Sequence, residues 1–240
     1  MLISYFYLRK NEKLLELLTN DEEIEVIVDS GLYSYSNTQK ITVEQARDYC
    51  EEYIKFIQKN KNYNCFIGFF ELDFDLIGYD YHTFVKPYQK RLLDETNKII
   101  LICQKKRTIE DIEEMFEKDI KTIAIPFASS VEREYFDYHL IIDKAKEKNL
   151  KVHLLGCSTV KYLIWADQSD SSSWFMTAAM GEESRLINGE IKTFHYTDSK
   201  EIAPDYETRA VRNAVFYKND FQNLVNKHKE MTNYEVLRLF

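Results

Sequence analysis

Residues 98–125 read KIILICQKKRTIEDIEEMFEKDIKTIAI, and this stretch holds one complete strand–helix–strand unit. The apolar run at 98–103 predicts a buried strand, and a second apolar run at 122–125 predicts another. Between them, residues 109–118 have apolar side chains at helical spacing, and Thr108 in front of them is a suitable N-cap. This order is typical of a β-α-β unit with parallel strands.

The same alternation of short apolar runs and amphipathic stretches extends to both ends of the chain. Five further strands are predicted at residues 2–8, 25–28, 65–72, 151–155 and 164–169. Further helices are predicted at residues 12–18, 43–58 (with Thr42 as N-cap), 85–96 and 131–148. Seven strands are therefore predicted, and residues 190–196 are the candidate for an eighth.

We therefore predict an α/β protein of the (β/α)8 TIM-barrel type, formed as a single compact domain over residues 1–240. A helical tail from about residue 205 is expected to pack on this barrel. An open doubly wound sheet is the alternative, but it usually has a glycine-rich loop after its first strand, and neither GxGxxG nor GxxxxGK[ST] occurs. With only six Gly and three Pro, a sandwich built from many tight hairpins is disfavoured.

Composition excludes several functional classes. The four cysteines are far apart with no CxxC pair, so no zinc site, other metal or cofactor is expected. The apolar N-terminal run is too short for a signal peptide or a membrane span, which predicts a protein of the cytoplasm with no membrane partner. The net charge of −8 disfavours tight duplex binding, and the local cations Lys105, Lys106, Arg107, Arg209 and Arg212 are expected to be solvated.

Polar residues directly after predicted strands are the candidate site residues, because the C-terminal strand ends form the active face of a barrel. The motif VIVDSG places Asp29, Ser30 and Gly31 at the end of one strand. A plain turn has the same composition. The glycine would allow a sharp turn or a close approach of the backbone to a ligand.

Three carboxylates follow the next strand in the motif FFELDFD. If the strand continues, Glu71, Asp73 and Asp75 lie on one side of it, and their proximity should raise at least one carboxyl pKa. Such a set could bind a metal, act as an acid or base, or accept hydrogen bonds from the N–H edge of a purine. A frayed, solvated strand end is the alternative.

Two later motifs are also candidates. In KVHLLG, His153 lies within an apolar strand, where a core histidine is as compatible as a catalytic one, and Gly156 ends the run. In SDSSSW, Asp170 is followed by Ser171 and Ser172, whose hydroxyls could hold it ionised for nucleophilic attack. Trp174 could form a wall of the pocket, although a turn or a helix N-cap would explain the serines equally well.

On these four motifs the sequence resembles the tRNA-guanine transglycosylase superfamily, especially its small phage and bacterial members that act on 7-deazaguanine bases in DNA. The resemblance implies that Asp29 acts as a general acid or base and that Asp170 attacks the sugar. It further implies that Asp73, Glu71 and Gln104 bind the guanine edge. The reaction implied is the exchange of guanine for a 7-deazaguanine such as preQ0, through a covalent glycosyl-aspartate, in the cytoplasm of a bacterium or a phage-infected host.

The chain departs from that family in two places. It has neither the cysteine cluster nor the length for the zinc subdomain of the tRNA enzymes, so DNA or a deoxyguanosine nucleotide is the expected substrate. It also reads IAIPFASS where the family has a pair of glycines. Hydrolysis of an N-glycoside in the same pocket and base binding without turnover stay open, as does the choice between monomer and homodimer.

Overall fold

A computed structural model describes residues 1–21, 23–36, 40–104, 107–127, 138–171, 173–188, 190–196 and 201–237. The chain divides into two compact units, Met1–His153 and Leu154–Phe240, with the division inside one strand. The predicted single domain stays a prediction.

Short strands and helices alternate along the first part of the chain. Its strands are β1 (Leu2–Ser4), β2 (Val26–Asp29), β3 (Phe66–Phe70), β4 (Ile99–Ile102), β5 (Thr122–Pro126), β6 (Lys151–Leu155) and β7 (Gln168–Ser169). The helices among them are α1 (Tyr5–Leu8), α2 (Glu12–Asn20), α3 (Leu32–Ser36), α4 (Val43–Asn60), α5 (Lys86–Glu95), α6 (Ile109–Phe116), α7 (Tyr138–Glu147) and α8 (Val160–Leu163). A 3₁₀ turn (Phe74–Ile77) and a π turn (Tyr81–Val85) follow β3.

Strands β1 to β7 form one parallel sheet in sequence order, a curled half-barrel. The predicted closed eight-stranded barrel is wrong. The candidate eighth strand does form, as β9 (Glu190–His195), but it pairs antiparallel with β8 (Glu182–Ile187) in a separate two-stranded sheet. Only residues 188 and 189 separate the two strands, which suits a hairpin and leaves no room for the crossover that a parallel neighbour requires.

The first predicted strand is shorter than expected. It ends at Ser4, and α1 begins at Tyr5, although residues 2–8 form one apolar run. Tyr5 and Leu8 are buried while Tyr7 is 64% exposed, so the second half of the run has the spacing of a helix. A continuous apolar run does not distinguish these two structures.

Both predicted N-caps are confirmed. Thr42 and Thr108 begin α4 and α6, and each accepts a hydrogen bond from the third helical residue while that residue's side chain bonds back. These reciprocal pairs are capping boxes.

The second unit contains the β8–β9 hairpin and the helices α9 (Ser173–Ala179), α10 (Tyr206–Phe216) and α11 (Gln222–Leu237). A π turn (Tyr217–Phe221) makes α10 and α11 one continuous helical run. Buried Asn213 connects α10 to β8, because its side chain accepts from the Ser184 N–H at 2.8 Å and donates to the Glu182 carbonyl at 3.3 Å. The predicted tail helices are therefore present, and their packing on the sheet stays a prediction.

Within the ranges given above, no helix is both long enough and apolar enough to cross a membrane.

Candidate functional site

Two tyrosines of α4 hold the ends of neighbouring strands in place. Tyr49 and Tyr53 are one helical turn apart, so their side chains project from the same face. The Tyr49 hydroxyl donates to the Ser30 carbonyl at 2.7 Å, and the Tyr53 hydroxyl donates to the Phe70 carbonyl at 2.8 Å. Burial raises the pKa of both phenols well above the usual value, so they remain donors at all ordinary pH values.

The DSG motif forms the turn that leaves β2. Asp29 is the last residue of the strand and is half-buried, and its carboxylate accepts the Gly31 N–H at 3.1 Å. Ser30 and Gly31 are buried. Gly31 has a φ of +74°, and a Cβ added to it would lie 2.6 Å from the Phe6 nitrogen and 2.7 Å from the Ser4 Oγ. The predicted need for glycine thus has two causes, a left-handed backbone and contact with the end of β1.

We expect Gly31→Ala to destabilise the protein more than Gly181→Ala does. Both glycines have positive φ, but a Cβ on Gly181 would meet nothing within 4 Å. The steric conflict at Gly31 should therefore add about 1–3 kcal/mol to the conformational cost that both variants share. Urea unfolding of the two variants measures this difference, and equal losses would contradict the close contact.

A buried ion-pair network lies beyond β3 and β4. Arg107 donates to Glu71 at 2.7 Å and to Asp75 at 2.8 and 3.1 Å, and the Arg107 and Glu71 side chains are fully buried. The other Glu71 oxygen accepts from Gln89 at 2.8 Å, and the Ile102 N–H donates to the first oxygen at 2.5 Å. All of these donors are needed because a buried charge is stable only when it is paired.

Glu71 is therefore occupied on both oxygens by protein donors. This arrangement favours a role in holding the loop after β3, and its assignment to the guanine edge stays a prediction. The expectation that β3 continues past Phe70 is wrong, because the chain enters the 3₁₀ turn at Phe74. Glu71 and Asp75 are nevertheless brought together, since both face Arg107.

Among the described residues, Asp73 is the carboxyl of this cluster that does not pair with Arg107. It is only 8% exposed, and Gln104 donates to it at 2.9 Å. Burial, as the main cause, and the negative charges of Asp29, Glu71 and Asp75 together raise its pKa from 3.8 to about 7. The predicted effect of crowded carboxylates is thus confirmed for Asp73.

The ends of β2, β3 and β4 therefore share one electrostatic environment. Asp29 ends β2, Asp73 follows β3 and Gln104 follows β4, and these adjacent strands pair in parallel. A neutral Asp73 can donate a proton, and an ionised Asp73 can accept hydrogen bonds from N–H groups. Because its pKa is near 7, both forms are populated under neutral conditions.

His153 is the last residue of the first unit. It is 2% exposed, and its ring meets the Phe70 ring edge-on at a centroid distance of 5.2 Å. This packing is compatible with the core alternative, and its predicted contact with substrate stays a prediction.

In the second unit, Asp170 directly follows β7. It is half-buried, and its carboxylate accepts the Gly156 N–H at 3.2 Å. Its own N–H donates to the Leu154 carbonyl at 3.3 Å, which connects the ends of β6 and β7. Gly156 has a φ of +67°, and a Cβ there would meet nothing within 4 Å, so the left-handed backbone explains the glycine and close approach does not.

The serine run lies at the start of a helix. Ser171 is half-buried, and α9 begins at Ser173, so the helix-start alternative accounts for the position of these serines. Ser172 lies outside the described residues, as does the side chain of Trp174. Their predicted roles stay predictions.

Sequence reasoning missed Arg107 and the two tyrosines of α4. Arg107 was expected to be solvated and is fully buried, because Glu71 and Asp75 surround its guanidinium. Lys105 and Lys106 lie outside the described residues. The sequence did contain a signal for these ion pairs. An arginine that follows one strand can neutralise a cluster of carboxylates that follows the neighbouring strand.

No protein-family model matches the chain, and neither a curated protein nor a solved structure matches it. The resemblance to the tRNA-guanine transglycosylase superfamily therefore rests on the sequence motifs. The carboxyl groups at the strand ends are the structural observation that bears on function.

Proposed function

We propose that this protein is a guanine base-exchange enzyme that replaces guanine with a 7-deazaguanine base in DNA or in a deoxyguanosine nucleotide. The observation that carries the proposal is the buried Asp73 carboxyl, whose pKa of about 7 lets it hold or release a proton at neutral pH. A departing purine needs a proton, and its edge offers N–H donors to a carboxylate. Asp29 and Asp73 can divide these two tasks, with one carboxyl transferring the proton and the other binding the edge of the base.

In this proposal Asp73 and Gln104 bind the edge of the base. An ionised Asp73 accepts the N–H groups of guanine, and Gln104 keeps the carboxyl oriented through the 2.9 Å hydrogen bond. Asp29, held by the Gly31 N–H, exchanges a proton with the leaving and entering bases. The two carboxyl groups thus have separate roles, since Asp29 is half-buried and Asp73 is almost fully buried.

Asp170 is the proposed nucleophile. Its carboxylate attacks the anomeric carbon of the sugar as the glycosidic bond to guanine breaks, and guanine leaves with a proton. The 7-deazaguanine then attacks the same carbon through its ring nitrogen, loses the proton from that nitrogen and releases the carboxylate. Two displacements preserve the configuration, as in retaining glycosidases.

The test is incorporation of labelled guanine into single-stranded DNA, duplex DNA, tRNA and dGMP, assayed separately. We expect incorporation by the wild-type protein into DNA or dGMP and none by Asp170→Asn, because an amide cannot form the glycosyl ester. Asp167→Asn is the matched control, since Asp167 is an exposed aspartate three residues earlier. It should retain the activity.

Other outcomes distinguish the alternatives. Release of free guanine without an added base would identify a hydrolase, and guanine binding without turnover on any substrate would identify a binding protein. Full activity of Asp170→Asn would remove the nucleophile assignment, and labelled tRNA would overturn the expected substrate class.

A further inference from the structure

Asp73 lies midway in sequence between the two carboxylates that Arg107 binds. The guanidinium donates to Glu71, two residues before Asp73, at 2.7 Å. It also donates to Asp75, two residues after Asp73, at 2.8 and 3.1 Å. One side chain therefore bridges both ends of the loop segment that carries Asp73.

Arg107 also holds the backbone that carries Gln104. Its main-chain N–H donates to the Gln104 carbonyl at 3.0 Å, and its guanidinium donates to the Ile102 carbonyl at 2.6 Å. The Gln104 N–H donates to the same Ile102 carbonyl at 2.8 Å. The start of the connection between β4 and α6 is therefore fixed by both the main chain and the side chain of one arginine.

The guanidinium is itself held in place by a closed ring of contacts. Its central carbon lies 4.4 Å from the centre of the Tyr81 ring, and the Tyr81 hydroxyl donates to Gln89 at 3.3 Å. Gln89 donates to Glu71 at 2.8 Å, and Glu71 accepts from Arg107, which completes the ring. A lysine would supply the charge without the flat fork that stacks on a tyrosine and donates in several directions.

We propose that Arg107 is a positioning residue of the base pocket, whose guanidinium sets the Asp73 carboxyl against the Gln104 amide. These two side chains come from separate loops, and the 2.9 Å hydrogen bond between them needs both loops to be fixed. Arg107 contacts both loops and acts on the pocket through their geometry. Its functional role rests on the proposed function, since Asp73 and Gln104 bind guanine only if that proposal holds, whereas the alignment can be measured without a ligand.

A purely structural role for Arg107 predicts a different result. A structural arginine would change the stability of the whole protein and leave the Asp73–Gln104 hydrogen bond intact in the molecules that remain folded. A positioning arginine would loosen that hydrogen bond in the folded protein. Arg107→Lys separates the two roles, because a lysine keeps the charge but has only three donors for the four hydrogen bonds that the guanidinium makes to oxygen acceptors.

The first measurement is the rate at which the Gln104 side-chain amide protons exchange with water, followed by NMR at pH 7. We expect this exchange to be roughly tenfold faster in Arg107→Lys than in the wild type. Leu18→Ala is the matched control, since Leu18 is 2% exposed on α2 and its truncation lowers the stability of the same unit through an apolar cavity. Equal acceleration in the two variants, or an unchanged rate in Arg107→Lys, would overturn the proposal.

The second measurement is the affinity for labelled guanine, determined by equilibrium dialysis. We expect the dissociation constant to rise about tenfold in Arg107→Lys and to stay at the wild-type value in Leu18→Ala, since a small misplacement of binding groups is costly. Faster amide exchange with unchanged guanine affinity would overturn the role of Arg107 in the pocket. A wild type that does not bind guanine would instead overturn the proposed function, and the exchange rates would still decide whether Arg107 aligns Asp73 with Gln104.

Asp75→Asn is the second variant, and it decides the outcome should circular dichroism show that Arg107→Lys does not fold. Each Asp75 oxygen accepts one hydrogen bond from Arg107. An asparagine keeps the size of the side chain but replaces one of these acceptors with a donor. It should therefore also accelerate exchange at Gln104, and an unchanged rate would contradict the positioning role.

Discussion

Arg107→Gln should lower the free energy of unfolding by about 3–5 kcal/mol, the cost typical of removing one partner from a buried ion pair. The arginine donates four hydrogen bonds to oxygen acceptors: one to Glu71, two to Asp75 and one to the Ile102 carbonyl at 2.6 Å. Without the guanidinium, the buried Glu71 and Asp75 carboxylates lose the cation that pairs with both of them. Urea unfolding at pH 7 measures the loss.

Arg91→Gln is the matched control for this prediction. Arg91 also forms a bidentate ion pair, with Glu51 at 2.5 and 2.8 Å, but both side chains are close to half exposed. An exposed pair contributes about 0–1 kcal/mol because water and salt screen it. Equal losses in the two variants would mean that the buried network does not stabilise the fold.

The parallel strands were predictable because their sequence signal is local. Val26, Ile27 and Val28 of β2, and the four residues of β4, are buried on both faces of the sheet and therefore form continuous apolar runs. The helix starts at Thr42 and Thr108 were predictable for the same reason. A capping box lies within four residues of sequence.

Strand partners were not predictable from the same signal. The pattern at 190–196 indicates a strand, and β9 does form there, but the pattern says nothing about which neighbour it pairs with. The pairing of β9 follows from its short connection to β8, and the sequence pattern did not predict β8. Its sequence, EESRLI, has two glutamates and an arginine, of which Glu183 is buried through its pairs with Arg185 and Arg212.

The candidate site was predictable in composition and not in arrangement. The motif FFELDFD indicates crowded carboxylates, and Asp73 has the raised pKa expected of them. Which carboxyl groups are ion-paired depends on Arg107, which is 36 residues from Glu71 and 32 from Asp75 along the chain. Arg107 pairs with those two, whereas Asp73 accepts a hydrogen bond from Gln104 and has a pKa raised to about 7.

Asp73→Asn should stabilise the protein, and the gain should grow with pH. The folded-state pKa of Asp73 is about 7, raised by burial and by Asp29, against an ordinary value of 3.8. Between these values the unfolded chain releases the proton and the folded protein keeps it, so wild-type stability falls as pH rises. Above pH 7 both states are ionised and the loss is complete. Asparagine has no such proton and keeps an oxygen that can accept from Gln104.

The size of the effect follows from the same two pKa values. One pKa unit corresponds to about 1.4 kcal/mol, so the advantage of Asp73→Asn over the wild type should increase by about 2 kcal/mol between pH 5 and pH 7 and then level off. Urea unfolding of both proteins at pH 5, 6, 7 and 8 measures it. A difference that does not change with pH would show that Asp73 titrates normally in the folded protein.

Asp205→Asn is a control of opposite sign. Asp205 caps α10, where hydrogen bonds from the Thr208 N–H and hydroxyl hold its pKa below the usual value. Its ionised form therefore stabilises the fold, and the asparagine variant should become less stable relative to the wild type as pH rises through the acid range.

Asp73, in contrast, destabilises the folded protein at neutral pH. A residue retained in spite of such a cost is expected to serve a functional site. Asp73→Asn should accordingly be more stable than the wild type at pH 8 and bind guanine more weakly. If the variant gains stability but binds guanine with full affinity, Asp73 is not part of the proposed base pocket.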